Sequence, residues 1–235
     1  MKILMLNNSG NVGKSFISRE LIYPNLDDDK IIVEVETHNS SSSNFNANTV
    51  KISGDDFSQL SKLFFQYDDL VVDLGASQIE KFFNELQLND KEVLDEIDLI
   101  ILPVIPNIKE IEDTLVLLQQ LNKLDLGIQV KVILNRCRDI KKFDFFMSEA
   151  KELGYKINTK LQLQDYRAIQ DLEEDKILTT EILASDKDYK QEAKQAYKNG
   201  DKELGDKLSD LYMLRSAAKA IRKDLNRVYA LLISE

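Results

Sequence analysis

Short, largely apolar runs alternate with longer stretches of helical spacing along most of this chain, and that alternation narrows the available folds more than any other feature. Lys2–Leu6, Ile31–Glu36, Leu70–Leu74, Leu99–Val104 and Val130–Leu134 read as strands, and Lys156–Leu163 as a candidate last one. Between and after them, Lys14–Ile22, Asp55–Phe65, Ser77–Leu88, Ile108–Leu121 and Phe143–Leu153 carry helical spacing. Parallel strands need a crossover connection, and the crossover helices cover both faces of the sheet, which is why such strands are apolar on both sides. The expected fold is therefore α/β, a mostly parallel central sheet with helices on both faces and right-handed crossovers. Ligands of such sheets sit at the carboxyl ends of the strands, so the residues just after each strand are the ones to read for chemistry.

After the first strand comes Ser9-Gly10-Asn11-Val12-Gly13-Lys14-Ser15, leading into a helix. Gly10 and Gly13 let the backbone turn tightly and approach an anion with no Cβ in the way. Successive N–H groups then face inward at the positive end of the following helix. Lys14 can reach β- and γ-phosphates as a point charge, and the Ser15 hydroxyl can ligate Mg²⁺. A standard phosphate loop, GxxxxGK[ST], would have glycine where this chain has Asn8.

Acids close the neighbouring strands. Asp73 ends Val71-Val72-Asp73, where a carboxylate can hold a Mg²⁺-bound water. Glu34 and Glu36 end the second strand two residues apart, on one side of it, and either could orient an attacking water or simply be a solvated terminus. Asn135 ends the strand before Arg136; its amide could pair with a purine edge or cap the turn, and both readings stand. His38, in the Ser/Asn-rich stretch that follows Glu36, reads as a solvated loop residue.

Composition excludes other chemistries. One histidine and one cysteine, Cys137, leave no His/Cys zinc site, and a lone cysteine cannot form an intrachain disulfide, which suits a reducing, cytoplasmic setting. The opening turns polar too soon for a signal peptide, and no apolar run approaches the roughly 18–20 residues of a transmembrane helix. A net charge of −10 argues against a whole-surface nucleic-acid footprint. From Asp186 onward the strand signal stops. Lys190–Lys198 and Asp201–Leu232 read as helices, the second with an apolar stripe from Leu204 through Leu211 and Ile221 to Leu232. That stripe either docks on its own domain or serves a partner. Arg215, Lys219, Arg222, Lys223 and Arg227 beside it form either a solvated face or a weak, non-specific DNA contact. The expected division is 1–184 for the nucleotide-binding domain and 185–235 for a C-terminal helical extension.

The segment SGNVGKS resembles the deviant Walker A loop, KGGxGK[ST], of the ParA/MinD family of dimerising ATPases, and NNSGNVGKS after a first strand is most similar to the StbB plasmid-stability proteins. Ile32–Glu36, Leu70–Ala76, Ile100–Pro106 and Ile133–Arg136 resemble further strands of the family, so the likeness spans about residues 1–180. It implies a P-loop NTPase three-layer sandwich that binds ATP or ADP with Mg²⁺. By position, Ser9, Gly10, Asn11, Val12, Gly13, Lys14 and Ser15 would cradle the nucleotide, with Ser15 and Asp73 on the metal. Glu36 would be the water-orienting acid, Lys14 and Asp73 would share in catalysis, and Asn135 would lie near the adenine. It also implies a nucleotide-dependent homodimer and a plasmid-encoded DNA-binding adaptor as partner. This chain departs from the family where the signature lysine, which reaches the partner's phosphates, is Ser9, where the middle glycine is Asn11, and where two aspartates are Glu34 and Glu36. Without that lysine, weak hydrolysis or none is expected, so a slow ATPase and a non-hydrolysing scaffold that recruits a partner are both carried forward.

Overall fold

The computed structural model describes residues 1–27, 29–35, 45–54, 56–89 and 95–234, with side-chain surroundings for all of these but 57 and 86–89. Six strands, β1 (Lys2–Met5), β2 (Lys30–Val35), β3 (Thr49–Ile52), β4 (Asp69–Leu74), β5 (Leu99–Val104) and β6 (Gln129–Leu134), form one sheet in the order β3-β2-β4-β1-β5-β6. Every pairing is parallel, as unbroken apolar runs require. The expected α/β fold with a P-loop NTPase sandwich is what the chain adopts.

Alternation within each strand sorts the core into two faces. Leu4, Leu6, Ile31, Val33, Leu70, Val72, Ile100, Leu102 and Val132 join one apolar cluster with side chains of helices α2 (Phe57–Gln66), α3 (Ile79–Asn89), α4 (Ile108–Leu124) and α5 (Asp144–Glu152). Ile3, Met5, Ile32, Val71, Ile101 and Ile133 are equally buried but lie outside that cluster, on the opposite face. Each such side chain contributes about 1.5–3 kcal/mol on leaving water. Glu34 and Asp73 share the parity of Ile32 and Val71, and register sets Glu34 directly opposite Asp73. Two carboxylates are thereby carried to one face at the carboxyl ends of neighbouring strands.

Two compact units divide the chain: Met1–Asp165 with Val228–Glu235, which holds the sheet, and Tyr166–Arg227. The second contains α6 (Ala168–Glu174), α7 (Thr179–Ala184), α8 (Tyr189–Lys198) and most of α9 (Lys202–Ile233). Asp188 caps α8 by accepting from the Gln191 amide, a bond that satisfies one of the unpaired N–H groups of a helix start. The end of α9 belongs to the first unit, where Lys131 Nζ donates to the Leu232 carbonyl and the Tyr229 hydroxyl to that of Asn25, 3.1 Å away. Along the apolar stripe of α9, Leu208, Leu214, Ala218, Ile221, Leu225, Val228 and Leu232 are buried and Leu204 is exposed.

Two expectations differ from the structure, and one strand had no expectation attached to it. Thr49–Ile52, unassigned from sequence, is an edge strand that buries one residue, Ile52, and shows no full alternation. Lys156–Leu163 forms no strand beyond a single bridge from Gln162 to Leu134. Lys14–Ile22 is helical, but only Lys14–Phe16 is α; Ile17–Ile22 winds as a π-helix, a rare form that tends to occur at functional sites. Among the described residues no helix is long and apolar enough to cross a membrane.

Candidate phosphate-binding site

The loop between β1 and α1 (Lys14–Phe16) is fastened at both ends before it meets any ligand. At its start Asn7, fully buried, donates through Nδ2 to the Pro103 carbonyl and to Thr114 Oγ1, both at 2.8 Å, and its Oδ1 accepts from the Ser9 amide at 2.7 Å. One side chain thus ties the loop to β5 and α4. At its end Gly13 adopts φ +91°, a conformation costly for residues with a Cβ, and a Cβ there would stand 2.4 Å from Asn135 Nδ2. That nitrogen donates to the Val12 carbonyl at 2.8 Å while Asn135 Oδ1 accepts from the Arg136 amide at 2.9 Å. Asn135 is therefore a brace for the loop. Gly10 is different: a Cβ there meets nothing within 4 Å, so no contact within the chain demands glycine at this position.

Lys14 is folded over the loop. Its ammonium group donates to the carbonyls of Ser9 at 2.9 Å and Asn7 at 3.3 Å, and the residue is only 5% exposed. The Ser15 side chain, in α1, hydrogen-bonds the Asp73 carboxyl near the end of β4. Burial pushes the Asp73 carboxyl above the usual carboxylate range; the Ser15 hydroxyl and the charges of Lys14 and Arg19 pull it down, and neighbouring Glu34 pushes it up. Lys14, Ser15 and Asp73 thus meet at one place, with Glu34 beside them. Arg19, 1% exposed on the π-turn, lies in the same cluster and stacks its guanidinium 3.6 Å over the Phe45 ring. A buried ammonium, a hydroxyl and a carboxylate beneath a glycine-edged loop make a donor set that suits a polyphosphate with a hard, oxygen-seeking cation such as Mg²⁺.

Ser9 Oγ donates to Asp113 Oδ2 on α4, so the position that the sequence resemblance aligns with a lysine carries a hydroxyl held by an acid. Asn11 and Arg136 meet on the exposed rim, Arg136 Nη2 donating to Asn11 Oδ1 at 3.1 Å. Glu36 and His38 lie outside the described residues, as does most of the Ser/Asn-rich stretch after them. Sequence reading missed Thr114, Asp113 and Arg19, which sit in segments legible only as helix, and gave Arg136 no role although it adjoins Asn135. Asn7 and Arg136 could have been found as polar residues two positions beyond the ends of β1 and β6.

No protein-family model matches the chain, and no curated protein matches it in sequence. Solved structures do match it in fold. The cell-division ATPase MinD of Pyrococcus furiosus superposes with a TM-score of 0.56 at 12% identity, covering 98% of this chain and 98% of that one. MinD of Aquifex aeolicus gives 0.53 at 12% identity with 97% of each chain covered. A plasmid partition protein of Borrelia burgdorferi B31, bound to AMPPNP, gives 0.52 at 16% identity, covering 90% of this chain and 98% of that one. At such identities the likeness is one of fold.

Proposed function

We propose that this chain is a ParA/MinD-like, adenine-nucleotide-binding switch that acts in plasmid stability or partition, most like the StbB proteins, with weak ATP hydrolysis. The observation that carries the reading is the buried Lys14 ammonium, turned inward over Asn7 and Ser9 beside the Ser15–Asp73 hydrogen bond. The likeness in fold to MinD and to a partition protein bound to AMPPNP supports it. Lys14 neutralises the terminal phosphates, and Ser15 with Asp73 would hold Mg²⁺, which when bound polarises the phosphoryl oxygens. Glu36 is assigned the water-orienting role. Asn135 is assigned a place beside the adenine, since its brace to Val12 uses one of two Nδ2 hydrogens. A homodimer gated by nucleotide and a plasmid-encoded DNA-binding adaptor complete the proposal. Direct DNA contact through α9 is at most weak: Arg215 is turned onto the carbonyls of Lys187 and Leu183, Arg222 onto Asn226 and Arg227 onto Asp224, which leaves Lys219 and Lys223 as outward cations.

Gly10→Ala tests the cradle. Because its Cβ meets nothing within 4 Å, thermal stability stays within about 0.5 kcal/mol of wild type, whereas ATP affinity falls about tenfold or more as the methyl blocks the approach of phosphate oxygens to the backbone. Thermal unfolding reads the first quantity and calorimetric titration with ATP·Mg²⁺ the second, each on the wild type and Gly10→Ala. Failure of the wild-type protein to bind ATP ends the proposal.

A second reading is a non-hydrolysing scaffold that binds nucleotide and recruits a partner. The Ser9–Asp113 bond favours it, since the missing cation of such sites is worth on the order of 10³–10⁵ in rate. Phosphate release measured alone, with DNA and with the adaptor separates the two. Turnover that rises well above background defeats the scaffold; a flat trace with intact ATP binding defeats the switch driven by hydrolysis.

A further inference from the structure

We propose that Arg136, steadied by Asn11, is a nucleoside clamp whose guanidinium lies flat against the purine of the bound nucleotide. The inference deepens the nucleotide reading and rests on it. The two residues follow different strands and meet at the rim of the loop, where Arg136 Nη2 donates to Asn11 Oδ1 at 3.1 Å. Arg136 takes a left-handed backbone with φ 51°, and its amide is caught by Asn135 Oδ1 at 2.9 Å, so its Cα is held in place by the same brace that supports Val12. Both Arg136 and Asn11 are exposed, and the bond to Asn11 uses one of five guanidinium N–H groups, which leaves the planar faces accessible.

Position decides which end of a nucleotide such a group meets. Asp73 ends β4, on one side of β1, and with Ser15 it marks the metal and terminal-phosphate side. Arg136 follows β6, two strands away on the other side of β1. The nucleoside, at the opposite end of the polyphosphate, therefore lies toward Arg136. A guanidinium is planar, delocalised and weakly hydrated, and it stacks on aromatic faces where an ammonium group acts only as a point charge. The loop's departure from glycine at position 11 follows, because a glycine has no side chain with which to steady the arginine. Arg138 is not an alternative: it pairs with Asp165 at 2.7 Å.

Affinities of wild type, Arg136→Gly, Arg136→Lys and Asn11→Ala for ATP and for inorganic tripolyphosphate, each with Mg²⁺, test the clamp. Glycine suits the left-handed backbone, so Arg136→Gly removes the guanidinium without adding strain. ATP binding should fall about tenfold in Arg136→Gly while tripolyphosphate binding changes by less than about twofold. Lysine should restore only part of the loss, and Asn11→Ala should fall between wild type and Arg136→Gly. Equal losses for both ligands make Arg136 a phosphate cation and overturn the clamp, as do unchanged ATP affinity in Arg136→Gly and full rescue by lysine. A wild-type protein that binds neither ligand refutes the nucleotide reading itself, a result distinguishable from failure of the clamp alone.

Discussion

Lys14→Ala should lower ATP affinity by on the order of 100-fold or more, the largest loss expected from any single side chain in this protein. The ammonium group is already buried and already turned onto the Ser9 and Asn7 carbonyls, so it reaches a bound phosphate with little further ordering. Charge-assisted hydrogen bonds of this kind are roughly twice as strong as neutral ones, and an ammonium on a terminal phosphate makes more than one. The fold itself should also lose about 1–3 kcal/mol, because two carbonyls lose a donor and the buried Asp73 carboxyl loses a compensating charge, although Arg19 remains. Thermal unfolding with and without nucleotide separates the effects. At about 100 times Kd, ATP stabilises the wild-type protein by about 2.7 kcal/mol, a rise of several degrees in Tm, and the same concentration should leave Lys14→Ala almost unmoved. Equal shifts in the two proteins would mean that the loop is not where nucleotide binds.

Asp73→Asn should do two opposite things. Burial raises the Asp73 carboxyl in the folded chain, and the Ser15 hydroxyl, Lys14 and Arg19 only partly offset it. An acid whose pKa is raised by folding contributes stability below its unfolded value and loses it as pH climbs through the folded value. Above the ordinary carboxylate range the wild-type protein therefore bears the cost of burying this carboxyl, a cost that the unfolded chain, free to ionise it in water, does not carry. The isosteric amide does not, and it still accepts from Ser15. Asp73→Asn should accordingly melt a few degrees higher at neutral pH, with the gain shrinking to nothing as pH is lowered through the carboxylate range. Over the same series it should lose most of the Mg²⁺-dependent part of ATP affinity, since the metal's carboxylate is gone. A variant that melts below wild type at every pH, or that keeps full Mg²⁺ dependence, would remove Asp73 from the metal side of the site.

Together these variants address a stability–function conflict at one point. The sheet brings Asp73 and Glu34 side by side on a buried face, an arrangement that is unfavourable for the empty fold and is eased by Lys14 and Arg19. Carboxylates kept in such a place suit a site that receives a cation. The π-turn serves the same end. It buries Ser18, Arg19 and Glu20 among apolar neighbours and brings the Arg19 guanidinium to the carboxylate cluster and to the Phe45 ring.

Local pattern was enough for much of this. The parallel sheet, the helices between its strands and the loop at Ser9–Ser15 were legible because unbroken apolar runs, helical spacing and a glycine-lysine-serine turn each follow from the chemistry of residues close in sequence. Thr49–Ile52 was not legible, since an edge strand that buries only Ile52 carries little apolar signal. Nor was the π-turn, whose residues read as an ordinary helix.

What residue order determined by itself is the class of fold and the groups from which a site was expected: a glycine-lysine-serine turn after the first strand, acids toward the ends of its neighbours, and a serine where the loops it resembles carry lysine. Tertiary structure alone decided which of those groups meet. Strand order set Asp73 beside β1 and Arg136 on its far side, register set Glu34 against Asp73, and α4 brought Asp113 to Ser9 and Thr114 to Asn7. The physical reason is that a parallel sheet joins strands distant in sequence. Spacing along the chain carries no record of contacts such as that between Asn7 and Thr114, 107 residues apart, which exist only once crossover helices have packed.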